Sequence, residues 1–397
     1  MAFVRAALCR GLPAVTVGNA KISLTVLTGG GHVAAISTPD CDINPLWSPP
    51  WNTTTPAHRR LHAATDPNFQ PDNDPLEAEL LSSIAGHSLC CDVFGAHSEN
   101  ETAKGACFHG EAGQVTWDVL SAAPGELTLR ALLPEAQLSV ERTFTAAPDG
   151  GAVVRVDETL SNRTGIDRAL GVSQHVTLDE SFLDVPGGAS FAANAGRGMT
   201  WPEDVGDSGR WAVGEEFTYP EIPLKDNHVA VDGAQSPVDD WRRFPRCESN
   251  GDLLTMRVGE DDPDNLGWFV AQRPTENDGE CLALAYAWDV STFPWLMTWE
   301  ENRARAGVPW SGRTLCRGLE FGSYALAMGR RWNVEKATLF DAPTFEWLDA
   351  HEQRSTSYHI TLQTVGSAEA LPLAMAAHPG GRLLCSSEEG GVVMPLH

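Results

Sequence analysis

Apolar residues that alternate with polar ones, broken repeatedly by glycine or proline, dominate this chain and commit it to antiparallel strands. Ile22, Leu24 and Val26 take every second position, Gly29-Gly30-Gly31 supplies a turn, and His32–Ile36 resumes the strand. From Leu127 to Leu160 the pattern returns, with Leu138, Val140, Arg142 and Phe144 alternating. Pro148-Asp149-Gly150-Gly151 then carries hairpin-turn chemistry into Val153–Leu160. Trp268–Gln272, Cys281–Trp288 and Leu319–Met328 read as further strands, and helical periodicity is confined to Pro75–Ile84 and Phe345–His351. Neither a fixed repeat nor a low-complexity linker divides the sequence. These features predict a mainly β protein, a large antiparallel β-sandwich in one domain over residues 1–397.

One segment departs from this rhythm. Residues 41–74 contain Pro45-Leu46-Trp47-Ser48-Pro49-Pro50-Trp51 and then a polar stretch with Asp66, Asp72 and Asp74. A Pro/Trp-rich loop of that length inside a compact domain points to function. Its tryptophans either plug the end of the sandwich or form an aromatic wall against the C–H face of a sugar ring.

Charge narrows the partners. With 53 acidic against 28 basic residues the formal net charge is −25, a surface that repels phosphate backbones and anionic membranes. Nucleic acid and membrane are therefore excluded as expected partners, and a highly anionic substrate would need locally concentrated arginine. The four lysines (Lys21, Lys104, Lys225 and Lys336) leave few candidates for Schiff-base chemistry. The amino terminus has no apolar stretch suited to a secretory signal, and nothing approaches the ~20 apolar residues of a membrane helix. Nine cysteines, an odd number without a C-x-x-C pair, argue for reduced thiols in a cytoplasmic protein and against a disulfide framework or zinc ribbon.

Three short stretches place titratable side chains where strand pattern meets glycine or a turn. They are Phe108-His109-Gly110-Glu111, Ser173-Gln174-His175 and Gly318-Leu319-Glu320-Phe321-Gly322. Two imidazoles and a carboxylate suit proton transfer on and off sugar oxygens without a cofactor. Around them, His87 and Asp92 are expected to line the same cleft and to orient His109. An alternative makes His87, His109 and Glu111 a metal-ligand set, although their spacing matches no zinc helix motif. Asp179, Glu180 and Asp184 follow His175 as an exposed acidic turn or a clamp on sugar hydroxyls. Trp288, Trp295, Trp299 and Trp310 precede Glu320, and Trp299-Glu300 sets an aromatic beside a carboxylate. Arg303, Arg305 and Arg313 are partners for this acidic region or for an acidic group on a substrate.

The same stretches carry a family resemblance. Val15–Ile36 resembles the opening strands of the galactose mutarotase-like (aldose 1-epimerase) β-sandwich. His109-Gly110 resembles the family's first, His-Gly histidine, His175 looks like its second, and Glu320 within Arg313–Gly322 is similar to its carboxyl-terminal glutamate. The match is one of order and context over roughly residues 14–360. Glu111 stands where a second glycine is common, and Val-Thr-Leu follows His175 where an aromatic-Asn pair is usual, which marks an outlying branch. The resemblance implies Glu320 as the base on the C1 hydroxyl, His175 as the acid on the ring oxygen and His109 as a ligand to hydroxyls, with no metal.

Three functional expectations follow. The leading one is a mutarotase acting on a small-molecule carbohydrate, with Glu320 and His175 facing one cleft within about 6–8 Å of each other, enough to span a pyranose. Asp92, Glu111, Asp179, His87, Trp299 and Arg313 are its expected substrate-binding residues. The others are a carbohydrate-binding module that lacks a close acid–base pair, and a lyase or isomerase acting on an acidic sugar.

Overall fold

Alternation becomes strand nearly everywhere it occurs. The computed structural model describes residues 1–62, 75–103, 106–148, 150–225, 236–244, 249–277 and 279–366, and three strands within 374–395. Asp66, Asp72, Asp74 and Asp149 fall outside the described residues. Four strands come first: β1 (Phe3–Cys9), β2 (Leu12–Gly18), β3 (Ser23–Leu27) and β4 (Val33–Ser37). Helices α1 (Pro56–His62) and α2 (Pro75–Leu81) lead to β5 (His87–Asp92). After α3 (Glu99–Thr102) run β6 (Asp118–Ala123), β7 (Glu126–Leu133), β8 (Leu138–Ala146), β9 (Val153–Asn162) and β10 (Arg168–Leu178).

Beyond α4 (Glu180–Leu183) come β11 (Ser190–Ala193), β12 (Ala195–Thr200), β13 (Glu216–Thr218), β14 (Glu221–Pro223) and β15 (Val238–Asp240). Long strands follow: β16 (Asn250–Val258), β17 (Leu266–Pro274), β18 (Glu280–Asp289), β19 (Trp295–Asn302) and β20 (Leu315–Gly322). Helix α5 (Gly329–Lys336), β21 (Thr338–Leu339), β22 (Ala342–Pro343), β23 (Glu346–Leu348) and β24 (Gln353–Gly366) complete the main body. A separate three-stranded sheet of β25 (Ala374–His378), β26 (Arg382–Ser387) and β27 (Gly390–Pro395) ends the chain.

Two large sheets form a sandwich. One is ordered β1-β2-β3-β4-β5-β10-β20-β19-β16-β12-β13, and the other β11-β17-β18-β24-β9-β8-β7-β6. Between them Leu89, Val176, Leu319 and Phe321 share a core with Val140, Val156, Leu284 and Ile360. Trp288 stacks on Phe321 at 4.2 Å between ring centroids. No helix among the described residues is long and apolar enough to cross a membrane.

This core has a polar knot. Alternation points Arg142 inward with Val140 and Phe144, and Glu158 on β9 answers it: Arg142 Nε donates to Glu158 Oε1 at 2.6 Å. The guanidinium also donates to the Gly31 carbonyl and to Gln174 Oε1, and Gln174 Nε2 donates to Glu158 Oε2 at 2.7 Å. Because Gln174 Oε1 is an acceptor, His87 Nε2 carries the proton in their 3.0 Å contact and Nδ1 is left to accept from Tyr286, 3.3 Å away.

Two expectations are corrected here. Phe345–His351 is not a helix: it contains β23, paired to β10 with Arg168 opposite Leu348. Three ladder pairs and the burial of Leu348 outweigh a weak helical period. The strand expected over Leu319–Met328 stops at Gly322, where the Ser323 side chain takes the Val172 N–H and turns the chain aside.

Removing one partner of a buried ion pair strands the other charge. Arg142→Met should therefore lower unfolding stability by about 3–5 kcal/mol in urea titrations followed by circular dichroism. A loss under about 1 kcal/mol would mean that Glu158 takes up a proton or finds water at little cost.

Candidate active site

Register assembles the site. Across β10, β20 and β19, His175 stands opposite Glu320 and Glu320 opposite Met297. Two residues along, Thr177, Gly318, Trp299 and Leu253 form the next row across β10, β20, β19 and β16. Since Gln174, Val176, Leu319 and Phe321 fill the sandwich interior, these rows occupy the sheet's other face. Gly318 makes the arrangement possible: a Cβ there would lie 2.2 Å from Glu320 Oε1. The carboxyl group lies in the space where that side chain would be.

His109 reaches the same face from a loop. Its φ is +60° and that of Gly110 +77°, both left-handed, and a Cβ on Gly110 would come within 2.1 Å of the Cys91 carbonyl. The His-Gly pair thus has a physical reason: only glycine fits the second position, and the strained first position aims the imidazole. Gly95 N–H donates to His109 Nδ1 at 3.0 Å. In the neutral ring that leaves Nε2–H as the donor. Its ring meets that of His175 edge-on, 5.4 Å between centroids.

Aromatic and aliphatic side chains wall the cleft above these three residues, a space of about 790 Å³. Trp47, from the Pro/Trp-rich loop, stacks on Trp310 at 6.0 Å, and Trp299 meets both edge-on. Trp51 packs behind them and ties its indole N–H to the Leu81 carbonyl at 2.9 Å. Leu80, Leu81 and Ile84, from α2 and the turn after it, close another side. At the rim, Arg305 donates to Glu77 at 2.6 Å, lies 3.3 Å from Glu301 and covers the Trp310 ring at 4.7 Å.

Burial sets the protonation of the floor. His175 Nε2 lies 3.2 Å from Glu320 Oε1, yet neither carboxyl oxygen makes an aligned hydrogen bond. Loss of water pushes the Glu320 carboxyl well above its ordinary 4.5 and pulls the His175 imidazole down to about 4. Both shifts favour the neutral form of the pair, a carboxylic acid beside an uncharged imidazole whose Nδ1 sits 3.0 Å from Thr177 Oγ1. His109 is likewise driven well below 6.5, by burial first and then by His175 and Arg305. The two residues lie inside the expected limit of about 6–8 Å and in direct contact, because they are cross-strand neighbours.

Of the residues expected from sequence, the structure brings Glu320, His175, His109 and Trp299 to the cleft. His87 points into the sandwich with Leu89 and Cys91, on the opposite face from Asp92. Asp92 and Glu111 line a second cavity of about 620 Å³ with Glu101, Glu135, Arg168 and Arg330. There Asp92 pairs with both arginines, and Glu111 accepts the Glu135 and Ala136 N–H groups at 3.0 and 3.1 Å. The proposed ligand set of His87, His109 and Glu111 is thus split among three places, and no group of three or more His, Cys, Asp or Glu among the described residues could hold a metal ion.

Asp179 caps α4 and accepts the Ser48 N–H at 3.0 Å, anchoring the loop that carries Trp47. Arg313 is exposed and donates to the Pro50 carbonyl. Sequence reasoning missed Glu77, Phe94, Trp201, Leu253 and Met297 as lining residues. Met297 shares a strand face with Trp299, so period two could have found it once Trp299 was chosen, whereas Leu253 stands opposite Trp299 on β16, a pairing that no local period shows. Glu77, on a helix whose docking the sequence does not encode locally, left no such signal.

No protein-family model and no curated protein sequence matches the chain. Solved structures do. A Klebsiella pneumoniae protein provisionally named an aldose 1-epimerase superposes with a TM-score of 0.59 at 14% identity, over 89% of this chain and 79% of that one. A galactose mutarotase-like protein from Clostridium acetobutylicum gives 0.54 at 10% identity, over 92% and 99%. A protein from Salmonella typhimurium, provisionally named a mutarotase, gives 0.53 at 12%, over 91% and 94%. The chain has the galactose mutarotase-like fold. In this mutarotase-like sandwich the cleft lies on the outer face of the larger sheet, with β10 and β20 as its floor.

The Gly95 contact yields a direct test. Nitrogen NMR of the imidazole should show His109 as the Nε2–H tautomer, with no protonation step near pH 6.5, because burial holds its pKa well below that value. A midpoint near 6.5 would show an exposed, unconstrained ring.

Proposed function

We propose that this chain is an aldose 1-epimerase-type enzyme that interconverts the anomers of a sugar, using Glu320 and His175 as its acid–base pair. The observation that carries this reading is the 3.2 Å contact between the two groups on the floor of a tryptophan-walled cleft. Anomer exchange needs one proton taken from the C1 hydroxyl and one given to the ring oxygen. Both oxygens are bonded to the same carbon, so acid and base need not straddle the ring.

The pair holds one proton in either of two forms, the neutral resting form or a carboxylate beside an imidazolium, related by transfer between Oε1 and Nε2. From the second form Glu320 takes the O1 proton as C1=O forms. The C1–O5 bond breaks, and O5 receives the His175 proton. Rotation about C1–C2 presents the other face of the aldehyde, and closure returns each proton to its donor. The pair leaves the cycle as it entered. His109 Nε2–H, fixed by Gly95, is placed to donate to a neighbouring hydroxyl, and the tryptophans supply faces for the ring C–H groups. A pure binding module would need those walls but not a contacting acid and base.

Replacing the carboxyl by an amide removes the shuttled proton and keeps the shape. Glu320→Gln should lower turnover by at least about 10²-fold on a responsive aldose, measured by NMR exchange spectroscopy, while melting stays cooperative. Retention of turnover would remove Glu320 from the chemistry. The pH profile gives a second check. Because His175 is pulled down to about 4, a second proton joins the pair only near that pH, and kcat/KM should not fall as the pH drops from 7 to 5. A fall centred near 6.5 would mean an ordinary solvated imidazole controls the rate.

A further inference from the structure

We infer that the cleft takes a deoxygenated aldose, one whose hydroxyls are concentrated at the anomeric end and whose far side is apolar, such as a 2,6-dideoxyhexose. The inference rests on the anomer-exchange reading of this cleft. It follows from where the polar groups sit. Among the described residues lining the cleft, only Glu77, His109, His175, Arg305 and Glu320 carry titratable side chains.

These five divide into two sets. His109, His175 and Glu320 sit together on the floor, where C1 and its oxygens must lie for the exchange to occur. Arg305 and Glu77 sit at the rim and are already hydrogen-bonded to each other at 2.6 Å. The guanidinium is further engaged by Glu301 and by the Trp310 face, so it offers little free charge to a uronate or a sugar phosphate. Between floor and rim the walls are hydrocarbon and indole, with Leu80, Ile84, Phe94, Leu253, Met297 and Trp299 among them, and the indole N–H groups of the lining tryptophans are donors only, so a hydroxyl there finds no side-chain oxygen or nitrogen acceptor.

A fully hydroxylated hexopyranose would press several hydroxyls against that surface. A buried hydroxyl without a partner loses its hydrogen bonds to water and gains none in return. Replacing those hydroxyls by hydrogen or methyl turns the mismatch into apolar burial. The floor still satisfies O1, O5 and one neighbour.

The test compares native protein on a 2,6-dideoxyhexose, a 6-deoxyhexose, glucose and galactose by NMR exchange spectroscopy. Binding is followed in parallel by quenching of tryptophan fluorescence in the Glu320→Gln variant. We expect kcat/KM for the dideoxyhexose to exceed that for galactose by at least about tenfold, with the 6-deoxyhexose between. Leu253→Asn, which puts an amide on the wall, should narrow that ratio. Equal or faster exchange of glucose and galactose overturns the substrate class and leaves the enzyme reading intact. Tight binding of the deoxy sugars to the variant, without exchange by the native protein, upholds the substrate class and overturns the enzyme reading. Binding of none of the four overturns the inference outright.

Discussion

Everything in the site depends on the antiparallel register of β10 against β20. It sets His175 opposite Glu320, and a slip of β10 by one residue would turn His175 into the sandwich and bring Gln174 out, leaving Glu320 without its partner. Interactions on the inner face hold that register. Gln174 is bound to Glu158, to Arg142 and to His87, and Phe321 is stacked on Trp288. Each strand therefore has two tasks divided by parity, with polar locking and aromatic packing inside and acid–base chemistry outside. A buried network of this kind specifies one arrangement because any other leaves polar groups without partners.

The covering elements change what the outer face is. Glu320 alternates away from the core, as a solvent-facing residue would, but α2 and the Trp47 loop roof it over and leave it 2% exposed. Desolvation then raises the carboxyl and lowers the imidazole, and the shared proton moves to the group that is neutral when it holds it. Asp179 belongs to this roof, since its bond to the Ser48 N–H holds the loop whose Trp47 completes the wall. A residue expected to clamp a hydroxyl acts instead on the segment that shuts out water.

The sandwich was legible because period two survives in nearly every strand: Leu138, Val140, Arg142 and Phe144 all point inward. Glu320 and His109 were legible because their glycine contexts have physical causes. Gly318 makes room for a carboxyl, and Gly110 sits where only glycine fits. What was lost was side and cover. In β5, Leu89 and Cys91 mark the inward parity, and His87 shares it while Asp92 does not, so the pair could have been separated by alternation alone. The contact between Glu320 and His175 was out of reach, because register between strands far apart in sequence is fixed by the whole sheet. The short β23 misled for the same reason: its ladder with β10 is invisible to local periodicity.

The neutral pair also bears on stability, and its two members act in opposite directions. His175 folds with its pKa lowered from 6.5 to about 4. Below 6.5 the unfolded chain therefore binds the extra proton, and stability falls as the pH drops toward 4. Glu320 folds with its pKa raised well above 4.5. Its contribution is full below 4.5 and is lost as pH rises toward the folded value. Between 4.5 and 6.5 the slopes oppose each other, so the pair adds little net pH dependence there. Above 6.5 the imidazole is neutral in both states, and whatever pH dependence the pair keeps comes from the carboxyl, which favours the unfolded chain as pH rises toward its folded-state value. The window in which the pair leaves the fold least sensitive to pH lies within the range in which it keeps its single proton.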